Sequence, residues 1–269
     1  MPEGHTLYRL AREQTQLFAG LPVHVSSPQG RFEAGAALLD RRVLDEVFSY
    51  GKHLFAPFGS DTLHVHLGLY GSYTSGTGAP PPARGALRMR WEGPGPEGDG
   101  VWTDLRGPTA CEVLPAPEVD RILARLGPDP LRSRADGGAA HRRIAGSRTA
   151  VGALLMDQTV LAGVGNVYRA ELLFRHGVSP FRPGRGVDPD LWTRMWADLV
   201  ALMRSGVRMG RIVTTRPGDR IRRSGAVQRD DAHYVYRRTA LPCRVCSTEV
   251  RTELMVGRNL YWCPACQAA

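Results

Sequence analysis

Leu126-Gly127-Pro128-Asp129-Pro130 is the point at which the hydrophobic period of this chain changes. Upstream, apolar and polar residues alternate in short runs: Val23 to Ser26, Arg42 to Phe48, His53 to Phe58, Thr62 to Leu67, Ala86 to Trp91, Val101 to Leu105 and Ala110 to Leu114. A period of two puts alternate side chains on one face of a strand, so these runs predict a β-sandwich. Gly and Pro clusters at 74–85 and 93–100 predict exposed hairpin loops between them. One helix is expected from Thr6 onward, with Leu7, Leu10, Ala11, Leu17 and Phe18 on one stripe. A short second helix, Glu118 to Leu126, runs into the breakpoint. Downstream the period becomes helical, through Val151, Leu154 and Leu155, then Val167, Ala170, Leu173 and Phe174, then Leu191, Trp192, Met195, Trp196, Leu199 and Leu202. The expected fold is therefore α+β and multidomain: a β-sandwich with one helix over 1–126, a helical bundle over 127–238, and a small cysteine-bearing unit over 239–269.

That last unit is defined by Cys243-x2-Cys246, sixteen intervening residues and Cys263-x2-Cys266. Two such pairs supply four thiolates for a tetrahedral structural zinc. The interval reads as a hairpin, Val250 to Met255 and Leu260 to Trp262, with Gly257-Arg258-Asn259 at its turn. Arg258 there suits a bidentate grip on phosphate or is an ordinary exposed turn residue. Cys111, outside the cluster, reads as a buried thiol.

The chain of 269 residues is long enough for two domains with their own cores. No apolar run is long enough to span a bilayer, and no basic-then-apolar leader opens the chain, so the cytosol is the expected location. The net charge of +9 is unevenly placed. Residues 1–140 carry 14 basic and 16 acidic side chains, residues 141–238 carry 18 and 8, and residues 239–269 carry 3 and 2. An excess confined to the second half fits a polyanion gripped by that half, or else a solvated basic face. Between Gly206 and Arg238 stand nine arginines interrupted by Gly210, Pro217, Gly218 and Gly225. That stretch reads equally as a loop that orders over an anion and as a disordered linker.

Of the 35 basic side chains, 34 are arginine and one is lysine, Lys52. Such a bias, with abundant Ala, Gly and Pro, fits a GC-rich genome in which arginine replaces lysine wherever charge suffices. A surviving lysine points to chemistry that a permanently protonated guanidinium cannot perform. At the other end stands Met1-Pro2-Glu3-Gly4. Methionine before so small a residue is normally trimmed, which would leave Pro2 as a secondary amine with a starting pKa of roughly 8. Such an amine can attack a sugar carbon and form an iminium ion. Glu3 beside it sits at the start of a helix, whose positive end favours the free amine. Met-Pro is also simply a common beginning. Gly163-Val164-Gly165-Asn166 offers backbone N–H groups for a phosphate at a helix start, and Asn166 reads equally well as a plain N-cap. His64 and His66 fall on one strand face, either as metal ligands lacking a third partner or as packed or surface residues.

Taken in order, Met1-Pro2-Glu3-Gly4, Gly51-Lys52-His53-Leu54-Phe55, Leu154-Leu155-Met156-Asp157-Gln158 through Gly163-x-Gly165-Asn166-Val167-Tyr168-x-x-Glu171, and Gly257-Arg258 to Cys266 resemble the formamidopyrimidine-DNA glycosylase and endonuclease VIII family. The resemblance covers essentially the whole chain and leans to the endonuclease VIII branch, which acts on oxidised pyrimidines. It implies a β-sandwich, a helix-two-turn-helix domain and a zinc-finger hairpin, with double-stranded DNA carrying damaged bases or abasic sites in the cleft between them. It implies Pro2 as nucleophile, Glu3 as the acid assisting sugar opening and base release, and Lys52 as the cation beside the sugar and phosphate. Asn166 and Arg258 would clamp phosphates, and Gly68-Leu69-Tyr70 would enter the hole left by a flipped nucleotide, with Leu69 and Tyr70 as the wedge. Asp104-Leu105-Arg106 resembles the arginine loop of the formamidopyrimidine branch, although Gly107-Pro108 replaces its aromatic and Gly68 replaces a position that is usually polar. The implied protein is a monomer of the bacterial cytoplasm, associated with the nucleoid, with one structural zinc and no membrane partner. The implied activity is base excision with β,δ-elimination. The alternatives are the same chemistry on oxidised purines, a non-catalytic zinc-ribbon protein that binds nucleic acid, and an amino-terminal-proline enzyme for small keto acids.

Overall fold

A computed structural model describes residues 2–94 and 98–268. The chain divides into two compact units, Met1–Arg125 and Leu126–Ala269.

The first unit opens with α1 (Gly4–Phe18), which starts two residues before the sequence predicts and buries Leu7, Ala11, Gln14 and Phe18. Nine strands follow: β1 (Pro22–Ser26), β2 (Arg42–Val43), β3 (Phe48–Tyr50), β4 (His53–Phe58), β5 (Asp61–His66), β6 (Ser72–Thr77), β7 (Leu87–Gly93), β8 (Val101–Arg106) and β9 (Ala110–Pro115). They form a five-stranded sheet in the order β2-β1-β7-β8-β6 and a four-stranded sheet in the order β3-β4-β5-β9. One core joins them, with Val23, Val25, Met89, Trp91 and Leu105 from one sheet and Leu54, Ala56, Phe58, Leu63 and Val65 from the other. Trp91 is fully buried and takes the edges of Phe18 and Phe58 with centroids 5.6 and 6.0 Å away. Burying each such side chain is worth about 1.5–3 kcal/mol.

The single strand expected from Arg42 to Phe48 is two, because the chain changes sheets there: β2 pairs with β1, and β3 with β4. The loop expected at 74–85 begins instead as β6, an edge strand with mostly exposed side chains and hence no alternating apolar signal. The loop expected at 93–100 falls partly on residues 95–97, outside the described residues. Short α2 (Glu33–Leu39) escaped the period reading, being rich in Ala with few large apolar residues. At the end of the unit α3 (Ala116–Arg125) lies on the four-stranded sheet, Val119 packing with Phe55 and Leu114.

The second unit is helical, with α4 (Gly137–Ala145), α5 (Val151–Leu154), α6 (Asn166–Arg175) and α7 (Pro189–Met209). Asp188 caps α7 by accepting the Leu191 N–H at 2.8 Å, and Gly210, at φ 67, ends it. The unit closes with a hairpin of β10 (Arg251–Met255) and β11 (Arg258–Trp262). This hairpin shares a core with α6: Val167, Ala170 and Phe174 pack with Tyr234, Val235, Val250 and Tyr261. No described helix is long and apolar enough to cross a membrane.

Candidate active site and metal centre

Met1 lies outside the described residues. Pro2 is half-buried and Glu3 fully buried. Glu3 is the N-cap of α1 in extended conformation, and its carbonyl accepts the Thr6 N–H at 2.8 Å. Its side chain does not cap the helix, so the carboxylate is withdrawn from water at the positive end of the helix dipole without being used to close it. His5, in the first turn, is also buried; that burial, with the charge of Arg9, pushes it down to about 4.

Lys52 is half-buried in the two-residue turn joining β3 to β4, which Tyr50 and His53 close as register partners. Gly51 precedes it at φ 58, the positive value that a type II′ hairpin turn demands of its first position. Helix α1 packs on both β3 and β4, so the strands that carry this turn support the helix that Glu3 begins.

The expected wedge lies on the loop between β5 and β6, closed by the Gly71 N–H on the Leu67 carbonyl at 2.9 Å. Tyr70 is 88% exposed and Leu69 40%. Gly68 has φ 65, and a Cβ there would stand 1.9 Å from Thr109 Oγ1, so any side chain at this position would be strained and would force Thr109 to move. Arg106 ends β8 with both terminal nitrogens on Asp104 Oδ2, at 3.0 and 2.9 Å. Asp104 is fully buried and also takes two bonds from Arg90, at 2.7 and 2.9 Å. In this structure the Arg106 guanidinium is held within the sheet.

In the second unit Gln158 shapes the glycine turn, donating to the carbonyls of Met156 and Val164 and accepting the Gly163 N–H, each at 3.0 Å. Gly165 is the N-cap of α6, and Asn166 is its first residue rather than the cap. Asn166 is 4% exposed; its amide donates to the Asn259 carbonyl at 2.9 Å and its oxygen accepts from Arg169. Arg258 departs from the expected tip position. The turn is Val256-Gly257, both at positive φ, and Arg258 is the first residue of β11, opposite Met255.

Beyond α7 the arginine-rich stretch is a loop, mostly exposed over 216–230 and tied down at its two ends. Its first four residues end α7, and beyond them Thr214 N–H meets the Ala232 carbonyl at 2.9 Å and Arg244 holds Asp231 at 2.9 Å. Glu171, fully buried, anchors this arrangement by accepting the N–H groups of Tyr234, Val235 and Tyr236 at 2.7, 2.8 and 2.8 Å and the Thr214 hydroxyl. The sequence shows Glu171 as a motif residue but not this role, since its partners lie 43 to 65 positions away. A carboxylate there supplies only acceptors; Glu171→Gln turns one oxygen into a donor facing donors and is expected to cost about 3–5 kcal/mol. By calorimetry, the second unit should melt on the order of 10 °C lower. An unchanged transition would show that the cradle carries no stability.

The four cysteines meet as predicted. All four Sγ atoms lie within 4.8 Å of one another, with Cys243 and Cys266 at 3.9 Å and Cys246 and Cys263 at 3.4 Å. A tetrahedron with Zn–S bonds of about 2.3 Å has edges of about 3.8 Å, so the set fits one zinc. The N–H groups of Val245 and Cys266 point at Cys243 Sγ and Cys263 Sγ, stabilising thiolate there. Among the described residues this is the one group of three or more His, Cys, Asp or Glu suited to a metal, so His64 and His66 take the packed alternative. Cys111 is half-buried rather than buried, and burial pushes its thiol up to about 12. Elemental analysis is expected to find one zinc per chain. Cys263→Ser should lose it and loosen the second unit while the β-sandwich melts as before; active protein with no zinc would refute a structural role.

Three family models match the chain: the formamidopyrimidine-DNA glycosylase N-terminal domain over residues 1–111, the formamidopyrimidine-DNA glycosylase H2TH domain over 126–217, and the zinc finger found in FPG and IleRS over 240–269. Endonuclease 8 1 of Mycobacterium bovis is 52% identical over 99% of this chain and 100% of its own length. The formamidopyrimidine-DNA glycosylase of Methylococcus capsulatus is 33% identical over 87% of this chain and 85% of its own. Among solved structures, MutM in complex with DNA containing carbocyclic 8-oxo-G superposes with a TM-score of 0.81 at 20% identity, covering 100% of both chains. A Lactococcus lactis Fpg complex with abasic-site DNA gives 0.80 at 20% identity over 99% of this chain and 100% of its own. At that identity the likeness is one of fold.

Proposed function

The chain belongs to the formamidopyrimidine-DNA glycosylase and endonuclease VIII family, and from that premise we propose that it is a base-excision-repair glycosylase and abasic-site lyase that removes oxidised pyrimidines. The observation that carries the chemistry is local: a half-buried Pro2 followed by a carboxylate with no exposure to water, at the start of a helix. The preference for pyrimidines rests on the 52% identity to a protein called endonuclease 8, against 33% to one called formamidopyrimidine-DNA glycosylase.

A damaged base inside a duplex is out of reach, so the nucleotide must leave the stack, at a cost of a few kcal/mol that is lower for lesions that pair badly. Leu69 and Tyr70, exposed on their loop, suit the space vacated. The Pro2 nitrogen forms a bond to C1′ as the bond to the base breaks, and Glu3 supplies the proton that lets the sugar open and the base depart. The iminium ion acidifies the C2′ proton; its loss expels the 3′ phosphate, a second elimination expels the 5′ phosphate, and water releases the enzyme. Lys52 provides the cation beside the sugar and phosphate. Asn166 and Arg258 grip flanking phosphates, for which Asn166 has a second amide hydrogen beyond the one given to Asn259. Arg106 would have to loosen its hold on Asp104 to reach the opposite strand. We assign these roles to a sandwich domain over 1–126, a helix-two-turn-helix domain over 127–238 and a finger over 239–269. Zinc supplies no chemistry to the reaction; its four thiolates hold the hairpin that presents Arg258.

The test is a panel of duplexes with single lesions, each incubated with and without borohydride. A covalent adduct with 5-hydroxyuracil and abasic-site DNA, and faster release of 5-hydroxyuracil than of 8-oxoguanine, is expected. Faster release of 8-oxoguanine would move the chain to the purine branch, and nucleic-acid binding without any adduct would refute enzymatic excision by an amine.

A further inference from the structure

The chemistry above leaves one cluster unused. On the outer face of the four-stranded sheet, His53 stands opposite His66, Phe55 opposite His64, and His64 opposite Glu112. His53 Nδ1 lies 2.8 Å from His64 Nε2, and His64 Nδ1 lies 2.9 Å from Glu112 Oε1. Phe55 stacks on His64 at 5.1 Å, and His64 is 4% exposed, whereas the Glu112 side chain is 52% exposed. His66 meets the His53 ring edge to face at 5.0 Å, and its Nδ1 accepts the Gly68 N–H at 3.1 Å. The cluster thus joins the residue after Lys52 to the residue that opens the wedge loop.

The hydrogen bonds have a direction. An ionised carboxylate only accepts, so the Nδ1 facing Glu112 carries hydrogen. A His64 ring carrying only that hydrogen offers a lone pair at Nε2, to which His53 donates from Nδ1. A lone pair is then left at His53 Nε2. The Gly68 N–H imposes the opposite tautomer on His66, with hydrogen at Nε2. Two imidazoles side by side near the Lys52 turn therefore present opposite polarity. Burial first, then repulsion from any positive charge on the neighbouring His64, His66, Arg125 and Lys52, push His53 down to about 3, so its ring stays neutral. Burial, with His64 and Lys52, lowers His66 as well. These groups come from β5, α3 and the turn, and Glu112 from β9 reaches His53 only through His64.

We propose that Glu112, His64 and His53 form a hydrogen-bonded chain that positions the Lys52 turn and keeps His53 Nε2 an acceptor, which makes His53 and His64 positioning residues for base excision. This rests on the glycosylase reading of the same site. His53 closes the hairpin turn as the partner of Tyr50, so fixing its ring restrains the backbone from which Lys52 projects. A misplacement of about 1 Å is enough to cost a reaction on the order of a hundredfold.

Long-range proton–nitrogen spectra of the imidazoles in the full-length zinc-loaded protein test the tautomers directly. His53 is expected as the Nδ1–H form and His66 as the Nε2–H form at neutral pH; His53 as the Nε2–H form would overturn the proposal without any variant. His64→Leu removes the acceptor at similar volume. It should slow single-turnover excision of 5-hydroxyuracil on the order of tenfold or more, with DNA affinity near wild type, and shift the His53 signals. His64→Gln, whose amide oxygen can accept the His53 N–H, should recover most of the rate. Wild-type excision by His64→Leu with unchanged His53 signals would overturn the positioning role and leave the glycosylase reading intact. Failure of the wild-type protein to excise or to be trapped would instead overturn that reading.

Discussion

Retention of the initiator methionine is expected to reduce base excision and borohydride trapping below detection, and Pro2→Gly to weaken both by roughly a hundredfold. With methionine in place the proline nitrogen becomes an amide, and the only terminal amine moves one residue away, about 3.8 Å. Attack on a sugar carbon requires the atoms to approach within about 3–3.5 Å in line, so such a displacement ends the reaction. Glycine restores a terminal amine at the same position, but a primary one. Its adduct with the sugar must be protonated to match the charge that a proline iminium carries permanently, and it lacks the ring that fixes φ near −65°. Mass spectrometry of the amino terminus, with trapping on abasic-site DNA, checks both. Full activity in a chain shown to retain methionine would end the proposed mechanism.

Lys52→Arg is expected to retain DNA binding and to lose most excision of an oxidised pyrimidine, on the order of ten- to a hundredfold. If charge were sufficient, arginine would serve here as it does at the 34 other basic positions. A guanidinium is planar and wider than an ammonium, and does not act as a proton acceptor. Binding should survive because one phosphate contact among many is a modest part of a salt-dependent affinity. The position is also framed on both sides: Gly51 sets the turn and the His53 ring is bonded to His64. Strand cleavage at a preformed abasic site should suffer less, because the sugar is already open to Pro2. Single-turnover rates on 5-hydroxyuracil and abasic-site duplexes, with affinities at the same salt, decide the matter; wild-type excision would mark the lone lysine as an accident of codon usage.

Some of this protein is determined within short spans of sequence. The change of period at Gly127-Pro128, the helix after Pro2-Glu3 and the two Cys-x2-Cys pairs each depend on residues a few positions apart, and each appears in the structure close to where the sequence places it. Periodicity and ligand spacing are local properties, so a linear reading recovers them. Other features required the chain to return on itself. The one-residue question of whether Arg258 caps the hairpin or begins β11 was decided by the pairing of Met255 with Arg258, which leaves only Val256 and Gly257 in the turn. A side chain at Gly68 would collide with Thr109, which lies on a segment reached after three more strands. The two ends of the Arg-rich stretch are joined through Glu171, which accepts the Thr214 hydroxyl and backbone N–H groups 63 to 65 residues away. The histidines show the limit most plainly. His64 and His66 share a strand face by simple alternation, but Glu112 meets His64 only when β9 comes back 48 residues later to pair with β5. Strand register and the burial of polar groups are set by which distant segments pack together, and that is why the sequence named Pro2, Glu3 and Lys52 while only the tertiary structure disclosed what holds the Lys52 turn in place.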